Sequence, residues 1–468
     1  MKVKYQAFAS KSFKGFKKTG DETNRPGLSG KSGKKKDTLV VNQKIATAAK
    51  NKRFSDCLHL FAEMKKTGHI PTKHTYTNLI NGAVRCGRMR EAAEFYSELT
   101  SKLSFCVEAA TALLKGYFDI CALDEAEKLW KDILTQTTAV VGSRTLDTYL
   151  RGCLYNGLVE NAKHAFESDK VEKSSSSFEM YHKLLCMSGV NPGPLSGYTE
   201  SSSHASHLAV AKLLLLTGSK EQALPVLDRA EELLKRATTE TEDKFTKHKL
   251  NEQIREIRNL RVSRPNIQDP RSRVFLAKGL ESLASALNFS GGSAIDVGAR
   301  LSQRTATNCV LEVCSGVGEW IVELAKRNPN RIYFASEIRV DRCYEIMVKM
   351  FAEEVHNLFI LCGDINMFLP HIPQLSFSDI HINFPEPPAW HENRTDSEGD
   401  LLTADFLKSV VLLKEQNGRL SILSDNKPYM ETVARRAGNV RISRQRSDGS
   451  SYFDRMFGKK HDRYEIVL

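Results

Sequence analysis

The chain has 468 residues, 41% hydrophobic and 8% aromatic, with a formal net charge of +12. That composition excludes collagen, a disulfide scaffold and wholesale disorder, and the length suits about three domains, or two with a repeat array. The most apolar stretch, Leu208–Leu216, is broken by Lys212 and falls well short of the ~20 apolar residues a membrane helix needs, so no membrane partner is expected.

The charge is concentrated at the start. Residues 1–36 hold eleven Lys and Arg against Asp21 and Glu22, a net +9. Residues 1–37 are therefore expected to be a basic, disordered tail. It serves either to attract RNA phosphates or as a targeting or solubilising arm, and its composition does not choose between them. The ten cysteines form no Cys-x-x-Cys pair, so no metal site is expected and they read as buried thiols in a reducing compartment.

Residues 38–170 repeat. Phe54, Met89, Leu123 and Val159 recur at steps of 35, 34 and 36, and Phe61, Tyr96, Trp130 and Phe166 follow at the same steps. A third register, Asn42, Thr77, Thr111 and Asp147, shares that slightly irregular period and is polar throughout. Each unit reads as two helices, with Ala92, Ala126 and Ala162 allowing close approach, so the expectation is an all-α solenoid of helical hairpins. Between 171 and 305 lies a helical extension and linker. Ser174–Ser177 and 192–203 read as loops, and Ser206–Leu234 as a helical pair with Leu213, Leu216, Ala223, Leu227 and Leu234 inward. Glu240–Arg261 reads as a charged helix with a solvated face.

The strings YTNLINGAVRCGRMREAAEFYSEL (76–99), KNKRFSDCLHLFAEMKKTGHIPT (50–72), LDEAEKLW and GLVENAKHAF resemble pentatricopeptide repeats. Tetratricopeptide repeats, which bind protein, are the competing family. The resemblance implies RNA as partner, with one base read per repeat and Asn42, Thr77, Thr111 and Asp147 in the principal base-reading position. The repeat-end partners Thr72, Cys106 and Gly142 depart from the family's usual Asp or Asn. The same polar residues could instead simply cap the first helices. The family further implies a mitochondrial or plastid location.

From 306 to 468 strands and helices alternate. Cys309–Val313, Arg331–Glu337, Leu358–Cys362 and Ser378–Asn383 read as strands of a parallel sheet covered on both faces. The turn Cys314–Gly318 carries Gly316 and Gly318, with Glu337 closing the next strand, a pattern that suits the ribose of a nucleoside cofactor. Nicotinamide cofactors fit that much too. Glu312 before the turn and Gly363, Asp364 and Ile365 after the third strand favour a cationic ligand without phosphates, S-adenosylmethionine. Glu312 would attract its amino group and Asp364 its adenine amine.

Residues 311–347, LFILCGDINMFLPH and DIHINFPEP resemble the tRNA (guanine-N7)-methyltransferases, which implies a Rossmann-like class I methyltransferase fold. By that resemblance Glu386 and Asp425 are the catalytic carboxylates, and Asp425, Ser451 and Asp454 hold substrate. Two departures stand out. Cys314 replaces the first glycine of the turn, tolerable if the turn keeps negative φ. The family's Phe-Pro-Asp-Pro-Trp-Pro-Lys and following basic run become Phe384-Pro-Glu-Pro-Pro-Ala-Trp390 and an acidic run to Asp400. The expectation is an RNA-binding methyltransferase acting on guanine N7 of tRNA, whose array replaces lost phosphate contacts. Removing residues 1–170 should then raise the RNA Michaelis constant and spare donor affinity. The alternative is a catalytically weak or inactive fusion acting as an organellar RNA-processing or ribosome-assembly factor.

Overall fold

A computed structural model describes residues 29–190, 199, 202–262, 309–385, 400–446 and 462–468. Four helical hairpins come first: α1 (Ser29–Lys50) with α2 (Phe54–Lys66), α3 (Lys73–Arg85) with α4 (Met89–Lys102), α5 (Val107–Asp119) with α6 (Leu123–Gln136), and α7 (Ser143–Asn156) with α8 (Val159–Glu167). The helix α1 begins at Ser29, so the end of the segment expected to be disordered is helical. Each first helix packs on the next, α1 on α3, α3 on α5 and α5 on α7.

The repeated apolar registers join each second helix to the next hairpin. Phe61 meets Tyr76 edge-on, Trp130 stacks on Tyr149 and Phe166 stacks on Tyr181, each joining a second helix to the hairpin that follows. Ala92, Ala126 and Ala162 are fully buried. Close approach is also built into the first helices: a Cβ at Gly152 would lie 2.1 Å from the Phe118 ring.

The stack continues through α9 (Ser175–Met187), α10 (His204–Leu216), α11 (Lys220–Glu240) and α12 (Lys244–Val262). The serine run expected as a loop is the start of α9. Ser174 and Ser177 each accept a hydrogen bond from the other's backbone N–H, a reciprocal cap. All five of the expected inward residues of the α10–α11 pair are buried. The charged helix α12 is more than a solvated face, because Leu250, Ile254, Ile257 and Leu260 form a buried stripe.

Among the described residues seven strands form one sheet: β1 (Cys309–Val313), β2 (Ile332–Glu337), β3 (Leu358–Cys362), β4 (Phe377–Asn383), β5 (Lys414–Ser424), β6 (Ile442–Arg446) and β7 (Asp462–Val467). Their order is β3-β2-β1-β4-β5-β7-β6. The first five are parallel, including the four strands read from the sequence, and β7 runs antiparallel to both β5 and β6. The order reverses at β1, between β2 and β4, and such a switch point opens a crevice at the strands' carboxyl ends.

The helices are α13 (Glu319–Arg327), α14 (Val340–Ala352), α15 (Ile365–Phe368), α16 (Ala404–Leu413) and α17 (Lys427–Arg436). One sheet face packs α16 and α17. On the other face, the buried residues of α13 and α14 join those of the repeat array in a single apolar cluster. Both α7 and α10 contact α14, so the helical array and the α/β unit share a core.

Candidate functional site

Four acids sit at the carboxyl ends of parallel strands. Glu312 is the penultimate residue of β1, Glu337 ends β2, and Asp364 and Asp425 follow β3 and β5. The parallel pairing therefore gathers them at one edge of the sheet, beside the switch point.

Glu312 is buried. The Asn383 side-chain amide at the end of β4 donates to its Oε1 at 2.8 Å. Its Oε2 has no hydrogen-bond partner among the described residues. Burial pushes this carboxyl up to about 7, only partly offset by Asn383 and Ser315 and reinforced by Glu337. A desolvated carboxylate with an unused oxygen suits a cationic amine.

The following turn is tight. Cys314, Gly316 and Gly318 have φ of +64, +58 and +75, so the negative φ on which tolerance of Cys314 depends is not met. The left-handed region disfavours a Cβ, and Cys314 carries that strain. At Gly318 a Cβ would also lie 2.7 Å from Ile346, whereas at Gly316 it would meet nothing within 4 Å. The open side of Gly316 leaves room for a ligand to approach the backbone.

Glu337 is held from two sides. The Gly316 N–H donates to Oε2 at 2.9 Å and the Arg339 N–H to Oε1 at 3.1 Å, with the Arg342 guanidinium 3.5 Å away. Burial still outweighs these contacts and raises its pKa. Asp364 is exposed and caps α15 by accepting from Asn366 N–H at 2.9 Å. Ile365 is buried in the core on the α16 and α17 side, so its side chain adds nothing to that exposed rim. Asp425 is exposed just before Asn426, the cap of α17.

Glu386, Ser451 and Asp454 lie outside the described residues. At the end of the altered loop, Asp400 is buried, accepting from the Tyr429 hydroxyl at 2.9 Å and pairing with Arg436. It is a structural acid rather than part of a repulsive surface.

In the array, two residues of the polar register touch the following repeat end. Asn42 donates to Thr72 Oγ1 at 3.4 Å and accepts from Thr75 at 2.8 Å, and Thr77 lies 3.9 Å from the Cys106 thiol. Gly142 has no side chain to offer, and Thr111 bonds Thr145 instead at 3.0 Å. Asp147 accepts from both Ser174 and Ser177. Each register residue thus touches the beginning of the next first helix, which gives it a stitching role whether or not it reads a base.

Sequence reasoning missed Asn383 and Arg339. A polar residue closing the apolar run of β4 marked Asn383. Arg339 acts through its backbone N–H, which residue type does not reveal. Among the described residues no His, Cys, Asp and Glu group is arranged to hold a metal ion, and no helix is long and apolar enough to cross a membrane.

Residues 306–454 match the family described as "Putative methyltransferase", and residues 36–85 and 74–102 match the PPR repeat family and PPR repeat models. Similar proteins include a tRNA (guanine-N(7)-)-methyltransferase of Chlamydia abortus, 35% identical over 120 residues, which are 25% of this chain and 52% of that one. One of the same description from Clostridioides difficile is 31% identical over 121 residues, 26% and 55% of the two chains. The chain spans about half the length of these relatives. A solved 16S rRNA (adenine(1408)-N(1))-methyltransferase from Catenulisporales acidiphilia aligns over 37% of this chain and 89% of its own at 14% identity, with a TM-score of 0.28.

Proposed function

We propose that this chain, which joins pentatricopeptide repeats to a methyltransferase domain, binds RNA and transfers a methyl group from S-adenosylmethionine to guanine N7, with tRNA as the substrate class. The observation that carries this reading is the gathering of Glu312, Glu337, Asp364 and Asp425 at one sheet edge around an open glycine turn.

The residues present fit the donor. Glu312 would hold its amino group, Glu337 its ribose hydroxyls and Asp364 its adenine amine, with the backbone at Gly316 and Gly318 in close approach. S-adenosylmethionine supplies an electrophilic methyl on a sulfonium. Guanine N7 is a lone pair in the neutral base, so the protein needs no general base. Its work is to align the purine and offset the charge formed on it. Asp425 and Glu386 would do this by holding the base edge, and Ser451 and Asp454 would close the site. The polar register Asn42, Thr77, Thr111 and Asp147 would contact bases, exchanging their present bonds to the next repeat for bonds to RNA. A mitochondrial or plastid location belongs to the same reading and rests on the repeats.

The test is transfer of labelled methyl from S-adenosylmethionine to RNA by the full chain. N7-methylguanine is the expected product, lost in Glu337→Ala. A second reading, an inactive or weak fusion serving RNA processing or ribosome assembly, is favoured by the loop change at 386–390. Donor binding without transfer to any RNA would favour it, and absence of donor binding would defeat the first reading.

A further inference from the structure

The repeat array and the donor site touch. Tyr155, in the last turn of α7, lies beneath Arg339, whose guanidinium carbon is 3.4 Å from the ring centroid. The same guanidinium makes a two-pronged ion pair with buried Asp341, at 3.0 Å through Nε and 2.7 Å through the terminal nitrogen. Its side chain is thereby clamped between an aromatic face and a carboxylate. The backbone N–H of this residue donates to Glu337 Oε1.

One further contact places the array against this corner. At Gly157, just past α7, a Cβ would come within 3.1 Å of Val340, the residue after Arg339.

We infer that Tyr155 and Arg339 are positioning residues for Glu337, and that the fourth repeat is a working part of the donor site. The stack fixes the Arg339 side chain, which fixes the first turn of α14 and the N–H that orients the Glu337 carboxylate. Loss of the aromatic face frees that turn, and Glu337 no longer waits in one orientation for the ribose. The inference rests on the donor-binding reading above.

The experiment is titration of S-adenosylmethionine into the full chain, well below its melting temperature. Tyr155→Phe keeps the aromatic face and should bind as the natural protein does. Tyr155→Ala should weaken donor binding about three- to thirtyfold, the range a desolvated cation–aromatic stack supports. Arg339→Met breaks the same clamp from the other side, and the double variant should be little worse than either single one. Separate, additive losses would mean generic destabilisation and overturn the inference. So would donor affinity in Tyr155→Ala equal to that of the natural protein, or failure of Tyr155→Phe to restore it. If the natural chain binds no donor, the donor reading itself fails and takes this inference with it. Should Tyr155→Ala not fold, the comparison of Arg339→Met with Tyr155→Phe decides.

Discussion

At the scale of single residues, protonation of Glu312 governs what the donor edge can hold. Folding buries this carboxyl and pushes it up to about 7. An acid whose pKa rises on folding binds more protons folded than unfolded. Its contribution to stability is therefore fullest below its unfolded value and is lost as pH climbs through about 7. Donor binding runs the opposite way, because a cationic amine needs the ionised carboxylate. Affinity for S-adenosylmethionine should rise with pH and level off above about 7, with a fall of up to about tenfold per pH unit below it. Glu312→Gln should flatten that profile and weaken binding chiefly above about 7, where the natural carboxylate is ionised. Calorimetric titration across the neutral range checks this, and a flat profile in the natural protein would contradict it. The placement of Glu312, Glu337 and the two glycines at strand ends and turn is legible in the sequence because the spacing is local. The sign of φ at Cys314 is not, because a residue's identity does not disclose it. Neither Asn383 nor Arg339 could be assigned, since each matters through a partner distant in sequence or through its backbone.

The helices show where periodicity informs and where it fails. The 34- to 36-residue registers named the stacking side chains because each hairpin buries itself only against its neighbours. Gly152 is an instance the apolar registers did not include. A methyl group there would meet the buried Phe118 ring at 2.1 Å, and that ring is packed against Tyr149. Gly152→Ala should therefore destabilise the protein by about 1–3 kcal/mol through overpacking. Denaturant unfolding checks this, and an unchanged midpoint would mean that α5 and α7 separate easily. The run Ser174–Ser177 was misread as a loop because serine composition marks both loops and helix caps. Only the reciprocal bonds to the backbone distinguish them. In α12 the charge count hid an apolar stripe at positions 250, 254, 257 and 260. The strand–helix alternation read in the sequence identifies only β1 to β4, not β5, β6 or β7.

Across the whole molecule, the array and the α/β unit pack as partners rather than as beads on a linker. Buried side chains of the array and of one sheet face form one cluster, and beside it Lys212 of α10 reaches Glu345 of α14 at 2.6 Å and Glu256 of α12 at 2.8 Å. Lys183 of α9 adds a second cation 2.9 Å from Glu345. Burial opposes the Lys212 charge, yet Glu256 and Glu345 outweigh it and hold the ammonium above its ordinary pKa. Removing one member leaves a buried charge without its partner. Lys212→Ala should therefore cost about 3–5 kcal/mol, with the two halves no longer unfolding in one transition by calorimetry. An unchanged single transition would show that the apolar contacts alone join them. This packing corrects the expectation that removing residues 1–170 would spare donor binding. The cut would strip α7 from α14 and Tyr155 from Arg339, so point substitutions are the cleaner probe.

A fixed union of array and donor edge has a direct consequence for RNA. Bases held by the repeats should lie at a constant distance from the base that is methylated. Crosslinking RNA to the full chain, sequencing it and mapping N7-methylguanine in the same reads measures this. The account expects methylated guanines at one short, constant offset from the crosslinked bases. Reads with crosslinks but no N7-methylguanine, or with the two at unrelated positions, would contradict it.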